Sequence, residues 1–135
     1  MIPTIYFAHP INTYDTILEK MAIEHIKTIG ECNILNPNAE EHQRGYELEG
    51  MVYFKRLVQS CDRCYVLPFS DGSIGAGVHK EIQWAMEAGI KCVYMKPVFE
   101  HEELFPETYN ETNYKILSVE ETKQKLKQYE KKYIN

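Results

Sequence analysis

The residues best suited to chemistry in this sequence follow three short apolar segments. His9-Pro10-Ile11-Asn12 follows the first, Asn36-Pro37 ends the second, and the glycine-rich segment 70–77 follows the third. If the apolar segments are parallel strands of one sheet, their carboxyl ends share an edge, where open sheets bind ligands. The sequence therefore predicts that the three groups meet in one crevice.

The glycine-rich segment carries the clearest indication of a ligand. Gly72, Gly75 and Gly77 let backbone amides approach a ligand closely, and the helix predicted after them directs its positive end at the same place. A phosphate monoester would fit such a site. The spacing matches neither the dinucleotide-binding nor the ATP-binding glycine motif. Because glycine-rich turns are also common without ligands, an ordinary tight turn is the alternative.

Glu81 is the candidate reactive group of this region. It follows Gly77 by four residues, about one turn into the predicted helix, where the positive helix end is expected to keep its carboxylate ionised. An ionised carboxylate in a crevice can attack carbon. The alternative is an ordinary glutamate that is favourable near a helix N-terminus.

Short apolar segments alternate with amphipathic ones along most of the chain. The pattern predicts strands at residues 5–8, 33–36, 63–69 and 90–95 and an edge strand at 114–117. It predicts helices at 17–29, 51–58, 78–88 and 118–133, the last beginning at a Ser118 and Glu121 capping box. Residues 38–44 are expected to form a loop or a short helix. The acidic, aromatic and aperiodic residues 97–114 predict a surface excursion that is functional or packs on a partner subunit.

This alternation predicts one α/β domain over residues 1–135. We expect a Rossmann-like, flavodoxin-like, doubly wound sheet of four to five mainly parallel strands, with helices on both faces. A chain of 135 residues is long enough for one core and too short for two.

Composition excludes several classes of partner. The formal net charge of −5 disfavours a nucleic acid polymer, and the longest apolar stretch, residues 64–69, is too short to cross a membrane. Because the first residues do not resemble a secretory signal, we expect a cytoplasmic protein with reduced cysteines. The C-x-x-C spacing of Cys61 and Cys64 has no second ligand pair beside it, so we expect no metal site.

Four stretches, in this order, resemble one known family. They are Tyr6-Phe7-Ala8-His9-Pro10, Cys61-Asp62 before an apolar strand, Asp71-Gly72-Ser73-Ile74-Gly75-Ala76-Gly77 with Glu81, and Ala85 with Ala88-Gly89-Ile90-Lys91-Cys92-Val93. Together, over residues 4–95, they look like the nucleoside 2-deoxyribosyltransferase superfamily. That superfamily includes the 2′-deoxynucleoside 5′-monophosphate N-hydrolases.

The resemblance implies roles for the reactive residues. Glu81 would attack the anomeric carbon of the sugar, and the Tyr6 hydroxyl would orient its carboxylate. A glycosidase that retains configuration needs such a carboxylate nucleophile and a proton donor for the departing base. It needs no metal or organic cofactor.

The resemblance also implies substrate contacts. Ser73 and the amides of Gly72, Gly75 and Gly77 match the loop that holds the 5′-phosphate in the monophosphate hydrolases, and Asn12 corresponds to a loop that touches sugar or phosphate. His9 stands where the family commonly has a histidine-free turn. It would contact base or phosphate, or hydrogen-bond the loop.

The proton donor is the point at which the sequence departs from the family pattern. The monophosphate hydrolases carry an acidic residue at the place that corresponds to the neighbourhood of Phe54 here. Asp71 is the first substitute, because it is expected at a strand end beside Glu81. Glu47 and Glu49 are the others.

These observations predict an enzyme that cleaves the N-glycosidic bond of nucleosides or nucleoside 5′-monophosphates, as a hydrolase or a deoxyribosyltransferase. The resemblance further implies a homo-oligomer, a dimer or larger. One alternative is a non-catalytic nucleotide-binding module of the same fold, which the missing acid favours. Another is an interaction subunit that uses the excursion at residues 97–114.

Overall fold

The computed structural model describes residues 2–98 and 103–134, with side chains as far as residue 129. Its strands are β1 (Thr4–Ala8), β2 (Asn33–Leu35), β3 (Arg63–Val66), β4 (Lys91–Val98) and β5 (Glu103–Thr108). Its α-helices are α1 (Ile17–Lys27), α2 (Glu40–Glu49), α3 (Met51–Gln59), α4 (Ala76–Glu87) and α5 (Val119–Ile134). Short 3₁₀ turns lie at Ile11–Thr13 and Glu111–Asn113.

The strands form one sheet in the order β2-β1-β3-β4-β5. The first four are parallel, and β5 runs antiparallel to β4. The predicted Rossmann-like α/β fold is therefore confirmed. Because β1 has β2 on one side and β3 on the other, the strand order reverses at β1, which opens a crevice at the carboxyl ends of these strands.

Both faces of the sheet are covered, as the short apolar strands require. One core cluster includes Tyr6 and Ala8 of β1 and Ile82 of α4. The cluster on the other face includes Ile5 and Phe7 of β1 and residues of α1. The alternation of side chains along β1 thus sends Tyr6 toward α4, the helix that carries Glu81.

Two predictions around the sheet edge are wrong. The fifth strand is β5 and not residues 114–117, which contribute a single bridge between Ile116 and Ile74. Residues 97–114 are not simply an excursion, since β4 runs to Val98 and β5 pairs with it; residues 99–102 lie outside the described range. β4 continues through Pro97 because its pairing with β3 ends at Tyr94, so the missing amide of Pro97 costs no ladder hydrogen bond on that side.

The helices follow the sequence pattern more closely. The capping box of α5 is present: the Ser118 amide donates to Glu121 at 3.0 Å, and the Glu121 amide donates to the Ser118 hydroxyl at 3.1 Å. Of the expected loop or short helix at residues 38–44, residues 38–39 form a turn and residues 40–44 begin α2, which is longer than expected and is followed by Gly50, with φ of 69°. The left-handed conformation of Gly50 separates α2 from α3.

Replacement of Phe7 by alanine should destabilise the fold strongly. Phe7 is fully buried in β1 and stacks on His9, so we expect Phe7→Ala to lower the free energy of unfolding by about 3–5 kcal/mol. Phe105→Ala is the matched control, because Phe105 on β5 is 47% exposed and should lose about 0.5 kcal/mol or little more. Urea unfolding measures both. Equal losses would contradict this description of the core.

Candidate active site

A cavity of about 540 Å³ lies at the carboxyl ends of β1, β2 and β3. The segment after β1 contributes His9 and Pro10, the segment after β2 contributes Pro37, and the segment after β3 contributes Phe69. The three strand ends therefore meet as the sequence predicts. The volume lies within the range of small-molecule sites.

Glu81 and Tyr6 form the polar centre of this cavity. Glu81 lines the cavity from α4. The hydroxyl of Tyr6, fully buried on β1, donates a hydrogen bond to Oε2 of Glu81. One oxygen of Glu81 is thus held by a hydrogen bond from a side chain of β1, which leaves the other oxygen for a ligand.

The ionisation of Glu81 differs from the sequence expectation. Burial raises the pKa of its carboxyl to about 8, and the hydrogen bond from Tyr6 opposes that rise. The helix N-terminus was expected to keep this group ionised. Glu81 is the sixth residue of α4, beyond the first turn to which the helix dipole is largely confined, so desolvation dominates.

His9 lines the cavity, but both of its ring nitrogens have protein partners. Nδ1 lies 3.0 Å from the carbonyl oxygen of Phe7, and Nε2 lies 2.8 Å from Oε2 of Glu19. Glu19 also accepts hydrogen bonds from the Asp15 amide and the Asn38 side chain. Of the two roles considered for His9, the geometry therefore favours anchoring the loop after β1.

Asp71 does not have the surroundings of a proton donor. One oxygen of its carboxylate accepts from the amide and hydroxyl of Ser73, and the other pairs with Lys125 of α5. Burial acts to raise the pKa of Asp71, but these bonds outweigh it and lower the pKa to about 2. Asp71 also lies outside the cavity lining. The structure therefore contradicts the expectation that Asp71 is the first candidate for the acid.

The other candidate acids also lie outside the cavity. Glu49 pairs with Arg56 on the surface, and Glu47 is exposed. Phe54, near the position where the resemblance implies an acidic residue, does line the cavity. Among the described residues of the lining, Glu81 is the sole carboxylate.

The predicted phosphate contacts are only partly brought together. Gly75 and Gly77 line the cavity, whereas Ser73, Gly72 and Asn12 do not. Ser73 is buried with its hydroxyl directed at Asp71, and the Gly72 carbonyl accepts from Tyr94 at 2.8 Å. Oδ1 of Asn12 is buried with no hydrogen bond to any described residue.

Sequence reasoning missed a large part of the cavity wall. These residues come from the segment after β1, from α2 and α3, and from α5: Ile11, Tyr14, Gln43, Tyr46, Met51, Thr122 and Leu126. The spacing of the apolar residues of α3 predicts a helix that packs on the core. The same spacing does not show which of them line a cavity. No local pattern indicates that α5, far along the chain, returns to cover the loop before α4.

Comparison with known proteins adds no assignment. No protein-family model matches the chain, and no curated protein matches it.

The described residues contain neither a metal-binding group of side chains nor a membrane-spanning helix. Over residues 2–98 and 103–134, no three His, Cys, Asp or Glu side chains are grouped to hold a metal ion. Within the same ranges, no helix combines the length and apolar character needed to cross a membrane. The four cysteines are free thiols.

Replacement of Glu81 by glutamine should stabilise the protein at alkaline pH. The pKa of Glu81 rises from 4.5 to about 8 on folding, so the folded state binds more protons and loses stability as pH rises between those values. The loss approaches about 1.4 kcal/mol per pH unit. Glu81→Gln removes this pH-dependent loss. The free energy of unfolding of the variant should therefore exceed that of wild type by more at pH 9 than at pH 5.

Urea unfolding at the two pH values measures this difference. Glu87→Gln, at an exposed position of the same helix, is the control and should change stability little at either pH. A Glu81→Gln variant with the same pH dependence as wild type would contradict the burial of a titrating Glu81.

Proposed function

We propose that this protein cleaves the N-glycosidic bond of nucleosides or nucleoside 5′-monophosphates, with Glu81 as the nucleophile. The observation that supports this most directly is the hydrogen bond from buried Tyr6 to a carboxylate in the wall of a cavity. The cavity lies where the strand order reverses, the usual ligand site of such sheets. The resemblance to the nucleoside 2-deoxyribosyltransferase superfamily supports the same chemistry.

The proposed reaction proceeds in two displacements. The free oxygen of ionised Glu81 attacks the anomeric carbon, the bond to the base nitrogen breaks with its electron pair, and a glycosyl ester forms. Water then releases the sugar, or a second base accepts it. Tyr6 keeps the carboxylate aimed at the sugar, and the oxocarbenium-like transition state is stabilised by the adjacent negative charge.

The departing base needs a proton. Because Asp71 is ion-paired and Glu81 is the sole carboxylate among the described lining residues, we propose that a water molecule in the cavity donates a proton to the departing base and regains one from bulk solvent. In the free protein the raised pKa of Glu81 means that it carries a proton at neutral pH. This proton passes to bulk solvent before the attack, which leaves Glu81 ionised.

A non-catalytic nucleotide-binding module is the second candidate function. The observation that favours it is the withdrawal of Asp71 from the cavity, which leaves no paired acid beside Glu81. Such a module would bind the same ligands without base release.

The proposal extends to the assembly and the location of the protein. Ile11 and Met51 line the cavity and are 67% and 45% exposed, so its wall includes apolar side chains that reach the surface. A second copy of the chain that covers this surface would agree with the homo-oligomer that the resemblance implies. We also propose a cytoplasmic location, where nucleosides and nucleotides are available.

Base release tests the proposed function. Wild type, Glu81→Ala and the exposed control Glu87→Ala are incubated with ribo and deoxy nucleosides and 5′-monophosphates, with and without an acceptor base. Free base is measured by chromatography. We expect release by wild type and by the control, and a loss of about 10³-fold or more in Glu81→Ala.

The same experiment separates the two candidate functions. No release from any substrate, while a nucleoside or nucleotide still raises the melting temperature, would overturn the glycosidase and favour the binding module.

The pH dependence of the rate provides a second test. Because the nucleophile must be ionised, kcat/KM should rise about tenfold per pH unit below the pKa of Glu81, about 8, and level off above it. Tyr6→Phe removes the hydrogen bond that lowers this pKa, so its inflection should move to higher pH. Initial rates from pH 6 to 10 measure both. A rate that is independent of pH would exclude Glu81 as the ionising group.

A further inference from the structure

The loop before α4 is the expected place for a 5′-phosphate, and the donors of Ser73, Ile74 and Ala76 in it are already hydrogen-bonded within the protein. The Ser73 amide and hydroxyl donate to Asp71 at 3.0 and 2.6 Å. The Ile74 amide donates to the Lys115 carbonyl at 2.9 Å, and the Ala76 amide donates to the Thr122 hydroxyl at 2.9 Å. A phosphate would have to compete with each of these acceptors.

Thr122 also fills space beside the loop. A Cβ atom placed on Gly75 would lie 3.2 Å from Cγ2 of Thr122 and 3.0 Å from the ring of Phe69. Both residues line the cavity, as does Leu126 one turn further along α5. The Cβ side of Gly75 is therefore packed by α5 and Phe69, whereas a Cβ atom placed on Gly77 would meet nothing within 4 Å.

Polar contacts hold α5 in this position. Lys125 pairs with Asp71 and lies over the ring of Phe69, 5.7 Å from its centre. The Tyr129 hydroxyl lies 2.8 Å from that of Ser70, and its ring stacks on Phe69. The charge of Lys125 is thus neutralised within the protein instead of being directed at a ligand.

The electrostatics of the cavity point in the same direction. Glu81 is negative in the reactive state proposed above, and a phosphate dianion in the same cavity would repel it. The polar residues Asn38 and Gln43 of the lining are uncharged. An uncharged sugar and base fit these surroundings better than a phosphorylated sugar.

We propose that α5 makes the site selective for nucleosides over nucleoside 5′-monophosphates, with Thr122 as the specificity-determining residue. The Thr122 hydroxyl accepts the hydrogen bond of the Ala76 amide, and the Thr122 methyl group fills the space beside Gly75. A bound phosphate would need both. This inference rests on the proposed glycosidase function and chooses between its two substrate classes.

The ratio of kcat/KM for a nucleoside to that for its own 5′-monophosphate tests the selectivity. For wild type we expect a ratio of at least about ten, since one lost hydrogen bond to a charged group is of that order. Thr122→Ala frees the Ala76 amide and opens space, so it should lower the ratio about tenfold through a smaller KM for the monophosphate. Thr122→Ser restores the acceptor and should return the ratio toward the wild-type value.

Calorimetric titration gives a readout that does not depend on turnover. Glu81→Gln and the double variant with Thr122→Ala are titrated with the same nucleoside and monophosphate. The double variant should gain affinity for the monophosphate and not for the nucleoside. Circular dichroism melting verifies that α5 remains folded in each variant.

The outcomes are distinct. Faster base release from the monophosphate by wild type would overturn this selectivity and leave the glycosidase standing. If wild type prefers the nucleoside but Thr122→Ala changes neither the ratio of kcat/KM values nor the affinity for the monophosphate, Thr122 does not determine the specificity. No base release from either substrate would instead refute the proposed function itself.

Discussion

The hydrogen bond between Tyr6 and Glu81 is the interaction on which the candidate site depends. A carboxyl group in a desolvated position is costly to ionise, and one buried hydroxyl is the partner that offsets part of that cost. The bond also joins β1 to α4, two elements that the chain separates by β2 and β3. The position of the reactive group is therefore tied to β1, a buried strand inside the sheet.

A second polar cluster keeps the opposite wall in place. His9, Glu19 and Asn38 tie the segment after β1 to α1 and to the segment after β2. Glu19 is buried and accepts from several donors, so the cluster is nearly satisfied within the protein. Its residues hold the segments that form this wall of the cavity. Because their polar groups are paired with one another, Glu81 is the group left to react with a ligand.

The sequence predicted the architecture better than the details of the site. Apolar runs placed β1 to β4 and the position of Glu81 because those features are local and periodic. β5 was missed because Phe105-Pro106 interrupts any clear alternation, and its strand exists only through pairing with β4. The sequence favours Asp71 as an acid because it shows that Asp71 follows the third apolar segment but does not show its partner Lys125, 54 residues away.

That separation along the chain sets the order in which the parts of the cavity are synthesised. The contacts that hold α5 on the loop join residues 46 to 59 positions apart, and the parallel strands and α4 precede α5 along the chain. The reactive pair of Tyr6 and Glu81 therefore lies on elements that are complete before α5 is made. The wall that covers Phe69 is the last part of the cavity to be added, so a single helix completes the enclosure of a site whose reactive groups it does not carry.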